Sequence, residues 1–394
     1  MLSFGQVQAL TMEATMAQLV LPHDVALERI QRAQELLTKQ NKTCMFLPVS
    51  ADLEWLTGYQ AHALERLTVL IVRQSGVPIL IAPELEVVTL EVPKDLFIVR
   101  KWSQSEDPFK MALIAATGDE HVQILNENLV VGKKMPAMHL LPLMSLLPQN
   151  HFEDSTSIIA HLRRQKDQAE IHAMAEVARC VDLTIAEIQQ GKIPLLGRTE
   201  RAVAEDVKSS MLRNGHDSVS FCIVATGPNS ADPHHEPDDT VIKMGHVVLF
   251  DIGGRRNGYS SDITRCVVMG PANKRQKDVY HEVRKAQQRA FEIVCVGIPA
   301  NIIDSAARES LDSCDLGQHF VHSTGHGIGL DEHEDPFITK MNTEPLLLNE
   351  CFSLEPGVYL NGEFGFRLED IVIVTNNGAM RLNYARRDLI ELNI

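Results

Sequence analysis

Three histidines, three alternating glycines and four carboxylates fall within fifteen residues, "HSTGHGIGLDEHEDP", His322 to Pro336. Imidazoles and carboxylates together can hold a metal, run acid–base chemistry, or merely solvate a loop. Spacing narrows the choice. His322 and His326 are four apart, which on a helix would make a zinc pair. Gly325, Gly327 and Gly329 argue against a helix there. A glycine on each side of His326 lets backbone approach a metal closely, so His326 is the favoured ligand. The glycine run does not open a βαβ unit, so it is not a nucleotide fingerprint.

Two further stretches carry paired acids. In "VVLFDIGGRRNGYSSDITRCVVMG" an apolar strand ends in Asp251, the chain turns, and the returning strand carries Asp262. A turn centred between Arg256 and Asn257 would make the two acids face each other, about 4.5–5.5 Å apart at Cβ. In "CFSLEPGVYLNGEFGFRLEDIVIV" Glu355 ends a strand at Pro356, and Glu369 sits inside the return strand. A turn centred on Gly362 would bring these two opposite one another. Carboxylates that close repel unless a proton or cation lies between them. Any one such acid is an ordinary solvated strand end. Two pairs and a glycine-flanked histidine make an oxygen-rich set whose charge balances two divalent cations. Harder ions such as Mn²⁺ suit it, and Co²⁺, Fe²⁺ and Zn²⁺ also accept it.

These residues need a scaffold, and the pattern supplies one. Residues 25–39 place Leu27, Ile30, Ala33, Leu36 and Leu37 on one helical face. Strands at "CMFLP", 67–72, 77–82 and "DLFIVRKW" follow, so the first part reads as a small α/β domain. "LLPQNHFEDSTS" reads as a linker, and 157–191 as one long helix ending at Gly191. Helices near 199–214, 274–295 and 301–312 come next, among strands at "FCIVAT", "HVVLFDIGG", "SDITRCVVMG", "CFSLE" and "FRLEDIVIVT". Each portion of this second part carries helices and a hairpin with two acids, a pattern open to an internal pseudo-symmetry.

Bulk properties exclude several classes. The 394 residues suit two domains, and 44% hydrophobic content gives each a core. Net charge is −15 with no basic stripe, which disfavours a nucleic-acid partner. Seven scattered cysteines with no Cys-x-x-Cys argue against a disulfide framework or thiolate zinc site and fit a reducing cytoplasm. The N-terminal stretch has no Lys or Arg before Arg29, so it lacks a signal peptide's basic region. The most apolar stretch, 67–88, is interrupted by Arg73, Gln74, Ser75 and Gly76 and reads as two strands rather than a membrane span. "TGPNS" lacks a nucleophile-elbow pattern.

"DIGGRRNGYSSDITR", "HSTGHGIGL", "LEPGVY" and "RLEDIVIVT" resemble the pita-bread metallohydrolases: prolidase, aminopeptidase P, methionine aminopeptidase and creatinase. The first part is similar to the N-terminal domain of prolidases and creatinases, with Trp55–Tyr59 ("WLTGY") matching a recurrent stretch there. The resemblance implies an α/β N-terminal domain of the creatinase/prolidase kind over 1–158. An α+β pita-bread catalytic domain would follow over 159–394.

By position, the resemblance gives Asp251 to one metal, Asp262 and Glu369 to both, and His326 and Glu355 to the second. His234 and His333 match the family's extra histidines, facing substrate and assisting catalysis, with His235 the rival of His234. Arg367, two residues before Glu369 on the same strand face, binds a substrate carboxylate or orients a ligand. His322 lines the pocket, as a structural or a substrate-binding group.

The implied reaction is hydrolysis of Xaa-Pro bonds in dipeptides, using hydroxide held between two divalent cations, Mn²⁺ foremost. Glu355 would pass the water's proton to the leaving nitrogen, while His333 or His234 steadies the oxyanion. Three alternatives remain: Xaa-Pro aminopeptidase action on longer peptides, hydrolysis of a small non-peptide amide, and a peptide-binding pseudoenzyme. The intact ligand set disfavours the last, and creatinase, which lacks that set. A cytoplasmic homodimer with a small peptide substrate and no membrane partner is expected. Asp335 departs from the commonest prolidase pattern, so pocket polarity is open at that point.

Overall fold

A computed structural model describes residues 21–117 and 127–393, so residues 1–20, and with them most of the stretch judged for a signal peptide, lie outside it. The chain forms two compact units, Met1–Arg163 and Arg164–Ile394.

In the first unit, helix α1 (His23–Lys39) buries Ala26, Arg29, Ile30, Ala33 and Leu37, spaced for one helical face. Strand β1 (Cys44–Pro48) leads into the short helix α2 (Ala51–Thr57). Gly58 ends that helix at φ 73°, a left-handed value that suits glycine. Beside it, Arg29 stacks over the buried Trp55 ring at 4.5 Å and donates to the Trp55 carbonyl at 2.7 Å. The expected hairpin is β2 (Val69–Arg73) and β3 (Ile79–Pro83), paired Val69 to Ile81. Then come β4 (Ile98–Trp102), α3 (Pro108–Thr117), β5 (Asn128–Val131), α4 (Ala137–Leu146) and β6 (His151–Asp154). The sheet runs β4-β3-β2-β1-β5-β6.

Strand β6 corrects the expected linker at 146–157. Residues 151–154 pair in parallel with β5, Asn128 opposite His151. The polar residues mark only the turn beyond, where the Asp154 side chain accepts from Thr156 N at 2.8 Å.

The single helix expected over 157–191 is two, α5 (Ile159–Arg164) and α6 (Gln168–Gln189). Asp167 breaks it. Its carboxylate accepts from Glu170 N at 2.8 Å, and the Glu170 carboxylate accepts from Asp167 N at 3.0 Å. That reciprocal pair is a capping box, and its Asp-x-x-Glu spacing is present in the sequence.

The second unit repeats one order of elements twice. Helices α6 and α7 (Glu200–Arg213) precede β7 (Ser218–Thr226), β8 (Val247–Arg256) and β9 (Tyr259–Met269). These strands make a sheet ordered β17-β9-β8-β7, where β17 is Ile390–Leu392. Val181, Ile185, Val203 and Val207 of the helices pack on Val224, Phe250 and Ile263 of the strands. Helices α8 (Lys274–Glu292) and α9 (Ala300–Asp312) then precede β10 (Gly325–Gly327), β11 (Glu334–Ile338) and β12 (Cys351–Leu354). A ribbon of β13 (Gly357–Leu360) and β14 (Phe364–Arg367) follows, then β15 (Asp370–Thr375) and β16 (Gly378–Arg381). The second sheet is β11-β10-β12-β15-β16. Its core, with Val283, Ile303, Phe352 and Val372, also includes Leu249 and Cys266 from the first sheet. Strand β9 is therefore covered on both faces and buried at every position.

Candidate active site

The first acidic hairpin turns at Asn257 and Gly258, with φ of 50° and 82°. Two consecutive positive values are the signature of the tight turn that Asn-Gly favours. This moves the register from the one expected. Asp251 faces Thr264, and Asp262 faces Gly253. The two acids are not directly opposite but offset by two along the same face, still within reach of each other as diagonal neighbours.

The second pair stands as its turn implies. Gly357 faces Arg367 on one side and Leu354 faces Asp370 on the other, a single register continuous through both ribbons. Glu355 and Glu369 occupy the gap between them. Glu369 is thus in a break between β14 and β15, not inside a strand. Pro356 has no N–H to give the ladder, which opens the chain there.

His326 comes from β10. A Cβ on Gly325 would lie 1.8 Å from the Ser353 carbonyl oxygen, and one on Gly327 2.4 Å from that of Asp335. The flanking glycines therefore let β10 pack tightly against its neighbours. His326 Nδ1 donates to the Gly327 carbonyl at 3.1 Å. That bond leaves the Nε2 lone pair free, 3.5 Å from Glu355 and 3.7 Å from Asp262.

Three overlapping groups result, each with ligand atoms within 4.8 Å of one another: Asp251, Asp262 and Glu369; His326, Glu355 and Glu369; Asp262, His326 and His333. All nine residues singled out from the sequence, His234 among them, line one cavity of about 770 Å³. Asp335 lies on β11 outside that lining. His235 is turned away and bonds Glu200 at 2.7 Å.

The electrostatics call for a proton or a cation between the acids. Asp251 Oδ1, Asp262 Oδ1 and Glu369 Oε1 are buried without a hydrogen-bond partner among the described residues. Burial, with Glu369 and Asp251 adding repulsion, holds Asp262 well above the usual carboxylate range. Burial and then Glu355 do the same to Glu369. Glu355 is pushed up to about 7 by burial, against the pull of Arg367. Burial also lowers His326, keeping its imidazole neutral. Orphaned carboxylate oxygens and a neutral, correctly oriented imidazole are a donor set that fits divalent metal.

Around these sit residues that the sequence reading missed. Thr264 donates to Glu369 at 2.8 Å, and Ser353 donates to Glu355 at 3.1 Å. Each lies two residues from an acid on a strand, so alternation alone marked its face. Tyr359 takes a bond from Arg367 at 2.7 Å and gives one to His322 Nε2 at 2.7 Å. Arg367 also bonds Asp251 at 2.5 Å and Thr264 at 3.0 Å. Its fork is engaged internally, which supports ligand orientation over substrate binding. His322 Nδ1 donates to Ser323 O at 2.8 Å, and burial, aided by Arg367, lowers its pKa to about 3. With both nitrogens in use, the structural role fits it better. His333 packs edge-on to His326, ring centres 4.0 Å apart. The next residue, Glu334, is fixed by Lys166 at 2.5 Å.

The sequence profile of metallopeptidase family M24 matches residues 170–376, and that of the creatinase/prolidase N-terminal domain matches 29–165. The chain belongs to metallopeptidase family M24. A relative named probable dipeptidase PepE, from Mycobacterium tuberculosis, is 37% identical over 350 residues, covering 87% of this chain and 90% of its own length. The crystal structure of dipeptidase PepE from Mycobacterium ulcerans superposes with TM-score 0.88 at 35% identity, covering 95% of this chain and 100% of that one. A prolidase from Thermococcus sibiricus gives 0.84 at 36% identity, covering 92% and 98%. The fold is that of the pita-bread peptidases, and this M24 protein is a hydrolase, a metal-dependent peptidase with an acid–histidine cluster able to bind metal.

Proposed function

We propose that this M24 peptidase hydrolyses Xaa-Pro bonds in dipeptides and uses two divalent cations, with Mn²⁺ the best-suited ion. The observation that carries this reading is the convergence of three orphaned, buried carboxylate oxygens on His326 Nε2 and Glu355 in one cavity. Asp251 would hold one cation, His326 and Glu355 the other, and Asp262 and Glu369 both. When bound, such cations lower the pKa of water from about 15.7 toward neutrality and polarise a carbonyl.

The chain's own residues supply the rest. Arg367 fixes Asp251, Thr264 fixes Glu369, and Ser353 fixes Glu355. Glu355, held on the cavity wall beside His326, takes the proton of the attacking water and delivers it to the leaving nitrogen. Proline nitrogen needs that proton to leave. His333 and His234, both on the cavity wall, present ring N–H groups to the developing oxyanion.

Support for the prolyl substrate comes from the prolidase likeness, and support for the dipeptide from the PepE relatives. A cytoplasmic homodimer completes the reading. All seven cysteines are free, and among the described residues no helix is long and apolar enough to cross a membrane.

The test is proline release from Ala-Pro and from Ala-Pro-Ala by chelator-stripped protein given Mn²⁺. Cleavage of the dipeptide alone upholds the reading. Preference for the tripeptide moves the enzyme to aminopeptidase action, and no metal-dependent cleavage of either sends it to other amides. Light scattering in solution tests the dimer.

A further inference from the structure

His234 and His235 are adjacent and chemically identical, yet only His234 lines the cavity. The residue that sorts them is Glu200, the first residue of α7, which is 0% exposed. Its Oε1 accepts from Thr226 N at 2.7 Å and Asn229 Nδ2 at 3.1 Å. Its Oε2 accepts from His235 Nε2 at 2.7 Å and Asp238 N at 3.1 Å. All four donors come from one segment, residues 226–238, and the helix N-terminus stabilises the charge that gathers them.

The same segment is fixed on its other side. Ser230 Oγ accepts from Gly365 N at 2.8 Å, and a Cβ on Gly365 would meet the Ser230 carbonyl at 2.0 Å. With the loop held there and His235 tied to Glu200, the neighbouring imidazole is left on the cavity side. Glu200, His235 and Asp238 also bring ligand atoms within 4.8 Å of one another. That grouping is complete without a cation. Each Glu200 oxygen already accepts two donors, and the Asp238 carboxylate accepts from Thr240 N at 2.7 Å.

We propose that Glu200 is a positioning residue that, by capturing His235, selects His234 as the histidine facing the substrate. This rests on the reading that His234 acts on the bound peptide. Glu200→Gln keeps the shape but places a donor among four donors, so the anchor breaks. His235→Ala removes the captured ring, and His235→Gln restores a donor.

The experiment measures kcat, KM, metal content and thermal unfolding of the full chain loaded with Mn²⁺, on Ala-Pro. His234→Ala should lower kcat at least about tenfold with little change in KM. Glu200→Gln and His235→Ala should lower it similarly and keep wild-type metal content, and His235→Gln should recover most of the loss. Either change added to His234→Ala should cost nothing more. Additive losses in the double variants overturn the assignment of Glu200 while leaving His234's role intact. His234→Ala at wild-type turnover overturns both. Should Glu200→Gln not fold, the His235 variants decide the matter alone.

Discussion

Gly325→Ala puts the metal-site geometry under direct test. The added Cβ would lie 1.8 Å from the Ser353 carbonyl oxygen, against a floor of about 3.0 Å for real Cβ contacts, so the two strands must part by about 1.2 Å. Neither strand can yield cheaply. β10 lies between β11 and β12, and Ser353 is wholly buried in β12. The Ser353 hydroxyl also accepts from His326 N at 3.0 Å and donates to Glu355 at 3.1 Å, so both ligands move with it. Overpacking of this kind costs about 1–3 kcal/mol of stability. A misplacement near 1 Å in a catalytic group costs about 10²-fold in rate. The expected outcome is weakened metal retention, kcat/KM down about a hundredfold, and a lowered melting temperature. Gly191→Ala is the control. It sits at φ 70° with open space around it, so it should cost about 1–2 kcal/mol from backbone strain and leave catalysis intact. Gly325→Ala with wild-type metal content and kcat/KM within threefold of wild type would refute the close-approach argument.

Three further outcomes are expected. Asp262→Asn and Glu369→Gln should abolish metal retention and turnover together, yet raise the melting temperature of metal-free protein by relieving a buried repulsion; a lower melting temperature would contradict that electrostatic account. Metal-free protein should lose stability as pH rises from about 4.5 through about 7, because Glu355 has a folded pKa raised above its ordinary value and its contribution is present only below that window. Adding Mn²⁺ should therefore raise the melting temperature more at pH 8 than at pH 6, which a calorimetric scan at both values reads directly. His333→Ala should cut turnover at least about tenfold while elemental analysis still finds the metal, since the ring lies exposed at the cluster's edge; loss of metal would make it a ligand.

The acids and His326 were legible because chemistry restricts which residue types can hold hard cations, and because glycine and proline marked the turns beside them. Their pairing was less so. Asn257-Gly258 carries the turn signal that fixes the first register, and centring the turn one residue earlier was enough to set Asp251 opposite the wrong partner. The helix break at Asp167 had its own signal, the acid three residues on, which the apolar periodicity on both sides obscured. β6 was hidden for a different reason: a four-residue edge strand among polar residues has almost no period to read. Glu200, Tyr359 and Thr264 belong to a third kind. Little in their types separates them from surface polar residues, because Thr226, His322 and Glu369, the partners that give them their roles, are 26 to 105 positions away in the chain.

That third kind explains how the fold aims such a cluster. Four carboxylates, three of them with orphaned buried oxygens, oppose the fold by mutual repulsion and desolvation. The surrounding bonds do not cancel that cost. They fix where it falls, since Thr264 and Ser353 each hold one oxygen of an acid, and Arg367 holds one of Asp251. For Glu369 and Asp251 the other oxygen is buried without a partner among the described residues. A cation entering there meets donors already aimed at it, and the repulsion it relieves becomes part of its binding energy. Part of the metal's affinity is therefore relief of metal-free instability, so a variant that stabilises the metal-free chain at the cluster should weaken metal binding by at least that amount.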